Sequence, residues 1–519
     1  MNLDIESLQG NFIAGEWIGD GCNKFIEVIN PSTLEMVGKA PDYGVSEADW
    51  AADAALKAFY EWRALSALER EQVLLKAAEL MEVRREELAA IITMEQGKPL
   101  EESKGEIDYD EFMDMAAASA PSIGHCNTMG TASSMNSIAE ALGMSLTGGA
   151  IIPAPYKERE NISFETGKRI VEMVHEDLTP SKIMTKEAFE NAIYVASAIG
   201  ASSNCPPHLT AIARHMGIDF GIDNWEKLGH DIPLLVNCQP AGEHLMEGFF
   251  KAGGVPAIMQ ELLKNNKLNK KVMTVTGKTV EENLKTKIDV DQKVIRSFKN
   301  PLINNAGFIV MKSNFFSSAV MKTSVISPEF RKRYLSNQKT PNVFEANAVV
   351  FEGPEDYHLR INDEHLKVDE NSILMIRGCG PVGYPGSGEV VNMQPPDRLL
   401  KKGINTLPTL GDGRQSGTSE SPSILNVSPE SAIGGALLIV QTGDKIKIDL
   451  NNSRIDLLIS DNEIENRRKN AKTPKLKNQT PWQEIARSMV GQLETGACLE
   501  TESLYLDITK TKGMPRHSH

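Results

Sequence analysis

The sequence lacks a long apolar run, a paired-cysteine motif and an excess of positive charge, and each absence removes a class of function. No stretch reaches the roughly 18 consecutive apolar residues that a membrane-spanning helix needs. The opening MNLDIESLQG has neither the basic flank nor the apolar centre of a signal peptide, so a cytoplasmic protein is expected. The six cysteines, Cys22, Cys126, Cys205, Cys238, Cys379 and Cys498, are scattered without a CxxC pair or zinc-type Cys/His spacing. Most are therefore expected to be buried thiols. A formal charge of −15 argues against a nucleic-acid or anionic-membrane partner.

What is present is the composition of a globular protein, 41% hydrophobic and 24% charged. At 519 residues the chain predicts two to four domains. In the first 108 residues FIAGEW and FIEVINPSTLEMVGKAP read as short strands around a turn at Asn30-Pro31-Ser32. Ser46 with Asp49, and Ser66 with Glu69, are helix-start pairs, and Gly97 with Pro99 closes a third helix. FIAGEW, NPST, AFYEWRAL, ALEREQVLLKAAELM and ITMEQGKPLEESKGEI, in that order, resemble the N-terminus of aldehyde dehydrogenases of the semialdehyde type. The resemblance implies part of a cofactor domain and an oligomerisation element. The thiolate nucleophile, glutamate base and Gly-containing dinucleotide turn of that family are not found downstream, so residues 1–108 are assigned no chemistry.

Near Tyr109 to Phe112 the text changes without a Gly/Ser-rich or Pro-rich linker, unlike a boundary between independent domains. Beyond it, His125-Cys126-Asn127-Thr128-Met129-Gly130 precedes a small-residue helix start, TASSMNSIAEALG. That setting puts the Cys126 thiol at a helix N-terminus, where the dipole favours thiolate, the form a metal binds. Two Gly-rich segments follow, GCGPVGYPGSGE and GDGRQSGTSES.

Together with AIGASSNCPPHLTAIARHMGIDF, IPLLVNCQPAG, FFKAGGVPAIMQELL and AVVFEGPEDYHLRI, these segments resemble the dihydroxy-acid, phosphogluconate and sugar-acid dehydratases, nearest to the L-arabinonate branch. The resemblance covers about residues 112–519. It implies a hydro-lyase that removes water from an aldonate to give a 2-keto-3-deoxy acid, using an iron–sulfur cluster, a magnesium ion and a serine base. Carried over by position, Cys126 matches the third cluster cysteine, Glu389 the magnesium-binding glutamate and Ser416 the base. The resemblance also implies a small-molecule aldonate partner and a homo-oligomer in the intact family.

This chain departs from the family where two other cluster cysteines and most magnesium ligands should precede the matched region. One cluster thiolate in three remains, so cluster and magnesium are expected to bind poorly and the chain to be impaired or inactive. Cys205 and Cys238 are read as packing residues, and the terminal His517 and His519 as a solvated tail. The competing readings are an NAD-dependent semialdehyde dehydrogenase fragment and a non-enzymatic chimera.

The expected fold is α/β. An aldehyde dehydrogenase fragment over 1–108 precedes the rear part of an α/β layered domain over 112–304, with strands in GAIIPAP, PLLVNC and KVMTVTG. A C-terminal β-barrel domain over 305–519 is built from FIVMKS, NAVVF, SILMIRG, ALLIVQTGDKIKIDL and RIDLLIS. Loss of the front of the α/β domain predicts exposed apolar faces and marginal stability.

Overall fold

The computed structural model describes residues 10–18, 24–64, 67–105, 125, 127–417, 422–474, 476 and 480–501. It divides into two compact units, Met1–Ala120 and Pro121–His519.

In the first unit β1 (Asn11–Ile13) and β2 (Glu16–Ile18) form a hairpin. Its turn residues Ala14 and Gly15 both have positive φ, as a tight two-residue turn matching strand twist requires. The antiparallel pair β3 (Phe25–Ile29) and β4 (Met36–Pro41) is joined by the predicted turn, where Asn30 Oδ1 accepts from the Ser32 backbone N–H at 2.9 Å. Helices Val45–Ala64, Ala67–Val83, Arg85–Gln96 and Leu100–Gly105 follow. Gly97 ends the third as predicted, in the left-handed conformation with its N–H on Thr93 O. The first helix begins differently from expectation: Glu47, rather than Asp49, reaches back to the Gly44 N–H. Ser66 lies outside the described residues. Among the described residues of this unit only Pro41, Ala89 and Ser103 are buried, while Phe12, Trp17, Trp50 and Phe59 are exposed. Among its described residues the unit has little core of its own.

The second unit is packed in the opposite manner. Helices Thr131–Ala141, Lys186–Ile199, Cys205–His215 and Gly254–Lys264 surround a core containing Ile138, Phe189, Ile193, Leu209, Trp225, Phe249 and Ile258. The small, apolar sequence of Lys186–Ile199 buries almost every position from Ala188 to Ile199, so this helix is central. The predicted layered α/β arrangement is not what forms here. GAIIPAP is a turn, and PLLVNC and KVMTVTG make only isolated bridges such as Leu234↔Ile303, Val236↔Ile295 and Met273↔Thr279. A short apolar run becomes a strand only where a second run lies alongside to take up its backbone groups.

The sheet begins at β5, close to the predicted boundary. Its eight strands are β5 (Phe308–Met311), β6 (Ser318–Lys322), β7 (Val343–Phe351), β8 (Ser372–Ile376), β9 (Thr409–Gly411), β10 (Ser423–Ser428), β11 (Lys445–Asp449) and β12 (Arg454–Leu457). Their order is β12-β11-β7-β8-β9-β10-β6-β5. β7 to β10 run parallel and read as continuous apolar or small runs because both faces are covered. One face packs Met321, Ile373, Met375, Ile424 and Ile446, and the other packs Val349, Leu374, Ile376 and Leu425. The ends approach through the Lys312↔Arg454 bridge, so the sheet is nearly closed, as the expected barrel requires. ALLI, read as a strand, is instead a 3-10 turn, Ala436–Ile439.

Candidate functional site

Glu389 and Ser416 sit on the two Gly-rich loops, one before β9 and one after it, and hydrogen bonds lace these loops together. Asn392 Nδ2 donates to Glu389 O at 3.1 Å, and Asn392 Oδ1 accepts from the Ser416 N–H at 3.2 Å. Val391 N donates to Arg414 O at 2.9 Å, and Arg414 Nε to Ser387 O at 2.7 Å. Sequence-predicted Glu389 and Ser416 are thus brought together on one scaffold.

Two buried acids anchor that scaffold. Glu430 accepts from the Val382 and Gly383 N–H groups at 2.9 and 2.8 Å and from Gln492 Nε2 at 2.9 Å. Its burial pushes its pKa up. Asp412 accepts from Gly378 N, Cys379 N and Ser431 N at 3.0, 2.9 and 2.8 Å. Gly380 has no side chain for a steric reason, because a Cβ there would lie 2.5 Å from the Glu430 carboxyl.

The helical half contributes the other wall. Glu389 Oε1 accepts from Thr131 Oγ1 at 3.1 Å and from Asn204 Nδ2 at 2.5 Å. Asn204 Nδ2 also reaches Thr131 Oγ1 at 2.9 Å and Gln415 O at 3.0 Å, so this one buried amide touches the helix start, the Glu389 loop and the Ser416 loop. Thr131 Oγ1 lies 2.9 Å from Ser202 Oγ, and the Ser202 N–H donates to Ser134 Oγ at 2.9 Å. Gly417 lets the loops meet, since a Cβ there would lie 2.6 Å from Ser202 Oγ and 2.9 Å from Thr131 N. Arg414 Nη1 and His208 Nε2 are 3.3 Å apart. Burial lowers the pKa of both, and for His208 the adjacent guanidinium acts the same way.

Cys126 lies outside the described residues, as do Cys22, His517 and His519. Its neighbours are fixed: Met129 N donates to Gln239 O, Met246 N to Asn127 O, and Ser133 Oγ to Thr128 O. Cys205 and Cys238 are buried packing residues as expected, and burial pushes both thiols up to about 12. Cys379 is buried and likewise raised. Neutral thiols of this kind are poor metal ligands.

Among the described residues no three His, Cys, Asp or Glu side chains form a metal-binding group. Glu389 Oε1 meets the donors Thr131 and Asn204 where a resident cation would need further oxygen acceptors around it. The described donor set does not by itself fit a magnesium ion or a cluster. Sequence reasoning did not single out Thr131, Asn204, Asn392 or Asp412. The available signal for Asn204 was its place just before Cys-Pro-Pro at a helix start, where asparagine is a favoured cap.

Two family models match the chain: the dihydroxy-acid/6-phosphogluconate dehydratase N-terminal model over residues 64–283 and the C-terminal model over 293–497. The first match starts well before the expected join near Tyr109 to Phe112, so residues 64–108 fall within dehydratase similarity as well. The D-xylonate dehydratase of Caulobacter vibrioides is 56% identical over 415 residues, covering 80% of this chain and 69% of that protein. The L-arabinonate dehydratase of Rhizobium leguminosarum bv. trifolii is 44% identical over 364 residues, 70% of this chain and 61% of that protein. A dihydroxy-acid dehydratase of Acetivibrio thermocellus is 36% identical over 400 residues, 77% and 70% of the two chains. The chain therefore spans about two thirds of the length of these relatives. With both family models matched and the two Gly-rich loops assembled against the helical half, the chain belongs to the dihydroxy-acid/6-phosphogluconate dehydratase family.

Proposed function

We propose that this chain is a sugar-acid dehydratase acting on a five-carbon aldonate, with Ser416 as the group that takes the C2 proton. The observation that carries the reading is the lacing of Glu389 and Ser416 through Asn204 and Asn392, which sets a carboxylate and a hydroxyl on facing loops at a wall of polar side chains. In the reaction the C2 proton leaves to the base, the C3–O bond breaks with loss of water, and the enol tautomerises to the 2-keto-3-deoxy acid. Asn392 fixes the Ser416 backbone, and Arg414 two residues earlier brings positive charge to the same loop. The substrate reading broadens from L-arabinonate to include D-xylonate, because the relative of that activity has the higher identity, 56% against 44%.

Cys126 as an iron–sulfur ligand and Glu389 as a magnesium ligand belong to the same proposal. The reading of this chain as impaired rests only on the upstream cluster cysteines and magnesium ligands that its sequence lacks ahead of the matched region. The aldehyde dehydrogenase resemblance of the front segment rests on its motifs alone, and the dehydratase match from residue 64 overlaps its rear part. Domains at 1–108, 112–304 and 305–519, a homo-oligomer and a cytoplasmic location complete the proposal. No helix among the described residues is long and apolar enough to cross a membrane.

The test is formation of 2-keto-3-deoxy acid from D-xylonate and L-arabinonate after anaerobic iron–sulfur reconstitution with magnesium, beside an intact relative. Turnover abolished by Ser416→Ala supports the reading. No turnover from this chain, with the relative active, leaves it a dehydratase by descent only.

A further inference from the structure

Among the buried polar atoms without a hydrogen-bond partner, two are complementary: Asn204 Oδ1, an acceptor on the amide that holds Glu389, and Lys322 Nζ, a donor. The orientation of the Asn204 amide is dictated by its surroundings. Its Nδ2 faces Glu389 Oε1 and Gln415 O, two groups that only accept, so a flipped amide would set oxygen against oxygen. Oδ1 must therefore face away from the carboxylate, toward a donor.

Lys322 is the last residue of β6, and its side chain projects from the same face of the strand as Val320, which packs into the core of the helical half. It is buried, and its charge acts on the thiol of Cys205, the residue that follows Asn204. An ammonium sealed away from water without an acceptor is strongly disfavoured. Asn204 Oδ1 is the unpaired acceptor on the neighbouring residue.

We propose that Asn204 Oδ1 accepts from Lys322 Nζ, directly or across one bridging water, making Lys322 a positioning residue that acts on Glu389 through the Asn204 amide. Carboxylate, amide and ammonium then form one buried chain in which the lysine fixes the amide and the amide fixes the carboxylate. The consequence for chemistry rests on Glu389 being a functional group. The link itself does not, and its test requires no turnover.

The test is a double-mutant cycle on the full chain, read as the equilibrium constant for cooperative urea unfolding. Asn204→Asp sets a carboxylate between Lys322 and Glu389. With Lys322 present the new charge has a partner, whereas in Asn204→Asp/Lys322→Met two carboxylates face each other without one. The expected result is that the double variant unfolds about tenfold more readily than the two single effects multiplied. Adding Glu389→Gln, whose amide donates to the introduced carboxylate, should recover most of that excess. Lys322→Arg, which keeps the charge, should behave like Lys322 toward Asn204→Asp, and Lys322→Gln, which removes the charge but keeps a donor, replaces Lys322→Met in the cycle if that variant does not fold. Effects that multiply within a factor of two, no recovery by Glu389→Gln, or a crystal structure with Asn204 Oδ1 and Lys322 Nζ bonded to separate partners would overturn the proposal.

Discussion

Glu430→Ala is the substitution that most directly tests how the Gly-rich loop is held. The carboxylate is 1% exposed and accepts three hydrogen bonds, two of them from consecutive backbone N–H groups, Val382 and Gly383, seven and six residues before Glu389. Alanine removes both acceptor oxygens and with them all three hydrogen bonds. A buried donor left unsatisfied costs about 1–3 kcal/mol. The Val382 and Gly383 positions are half-buried, so water can reach them in part and each should cost near the lower end. Removing a carboxyl whose ionisation burial disfavours offsets a fraction of this. The net expectation is a loss of about 2–3 kcal/mol, read by urea unfolding with an unchanged slope.

The same geometry supplies an internal control. Gly380→Ala alone places a Cβ 2.5 Å from the Glu430 carboxyl carbon and Oε2, so it should be destabilising. In the Glu430→Ala background the carboxyl carbon and Oε2 are gone and only the Cβ of residue 430, 2.7 Å away, remains, so the cost of Gly380→Ala should fall in part, by about 1 kcal/mol. Additive effects within about 0.3–0.5 kcal/mol would refute the argument. So would a Glu430→Ala chain as stable as the parent.

Three further outcomes follow from single contacts. Glu140 is buried, accepts from the Gly148 and Ala150 N–H groups, and desolvation raises its pKa from 4.5 to about 7. A raised folded pKa contributes stability that is complete below the unfolded value and lost as pH rises through the folded one. Unfolding between about pH 4.5 and 7.5 should show a decline on the order of 3 kcal/mol that Glu140→Gln flattens, and parallel curves would refute it. Gly417→Ala should destabilise by about 1–3 kcal/mol through contact with Ser202 and the Thr131 backbone, and a neutral effect would show that the two halves meet more loosely. Asp444 pairs with Arg467 at 2.5 Å in a nearly enclosed setting and accepts from the Gln441 N–H, so Asp444→Ala should cost about 1–3 kcal/mol in the same assay, with no change contradicting it.

Strands and site residues were legible to different degrees for one physical reason. FIVM, NAVVF and SILMI are apolar runs of a single sheet, NAVVF pairing with SILMI and FIVM with β6, and each was readable as a strand. PLLVNC has the same local character and is equally buried, yet it makes single bridges because no parallel run lies beside it. β6, β9 and β10 escaped notice for the converse reason: SAVMK carries a lysine in its apolar run, TLG is only three residues long, and SILNVS is interrupted by an asparagine. Their neighbours impose strand geometry that their own residues do not announce.

The same distinction separates Glu389 and Ser416 from Asn204 and Lys322. The first pair sits in Gly-rich segments whose composition marks a loop approached closely by other backbone, and the resemblance to the family directed attention there. Asn204 bonds to Glu389 across 185 residues of sequence, and Thr131 does so across 258. No local pattern encodes such a contact. Lys322 was less visible still, because a lysine at a strand end is ordinarily a solvated residue. Only the packing of β6 against the helical half turns it into a buried cation, and a buried cation demands an acceptor. The stability of the Lys322 variants is therefore a test of the packing between the two halves of this unit as well as of the site.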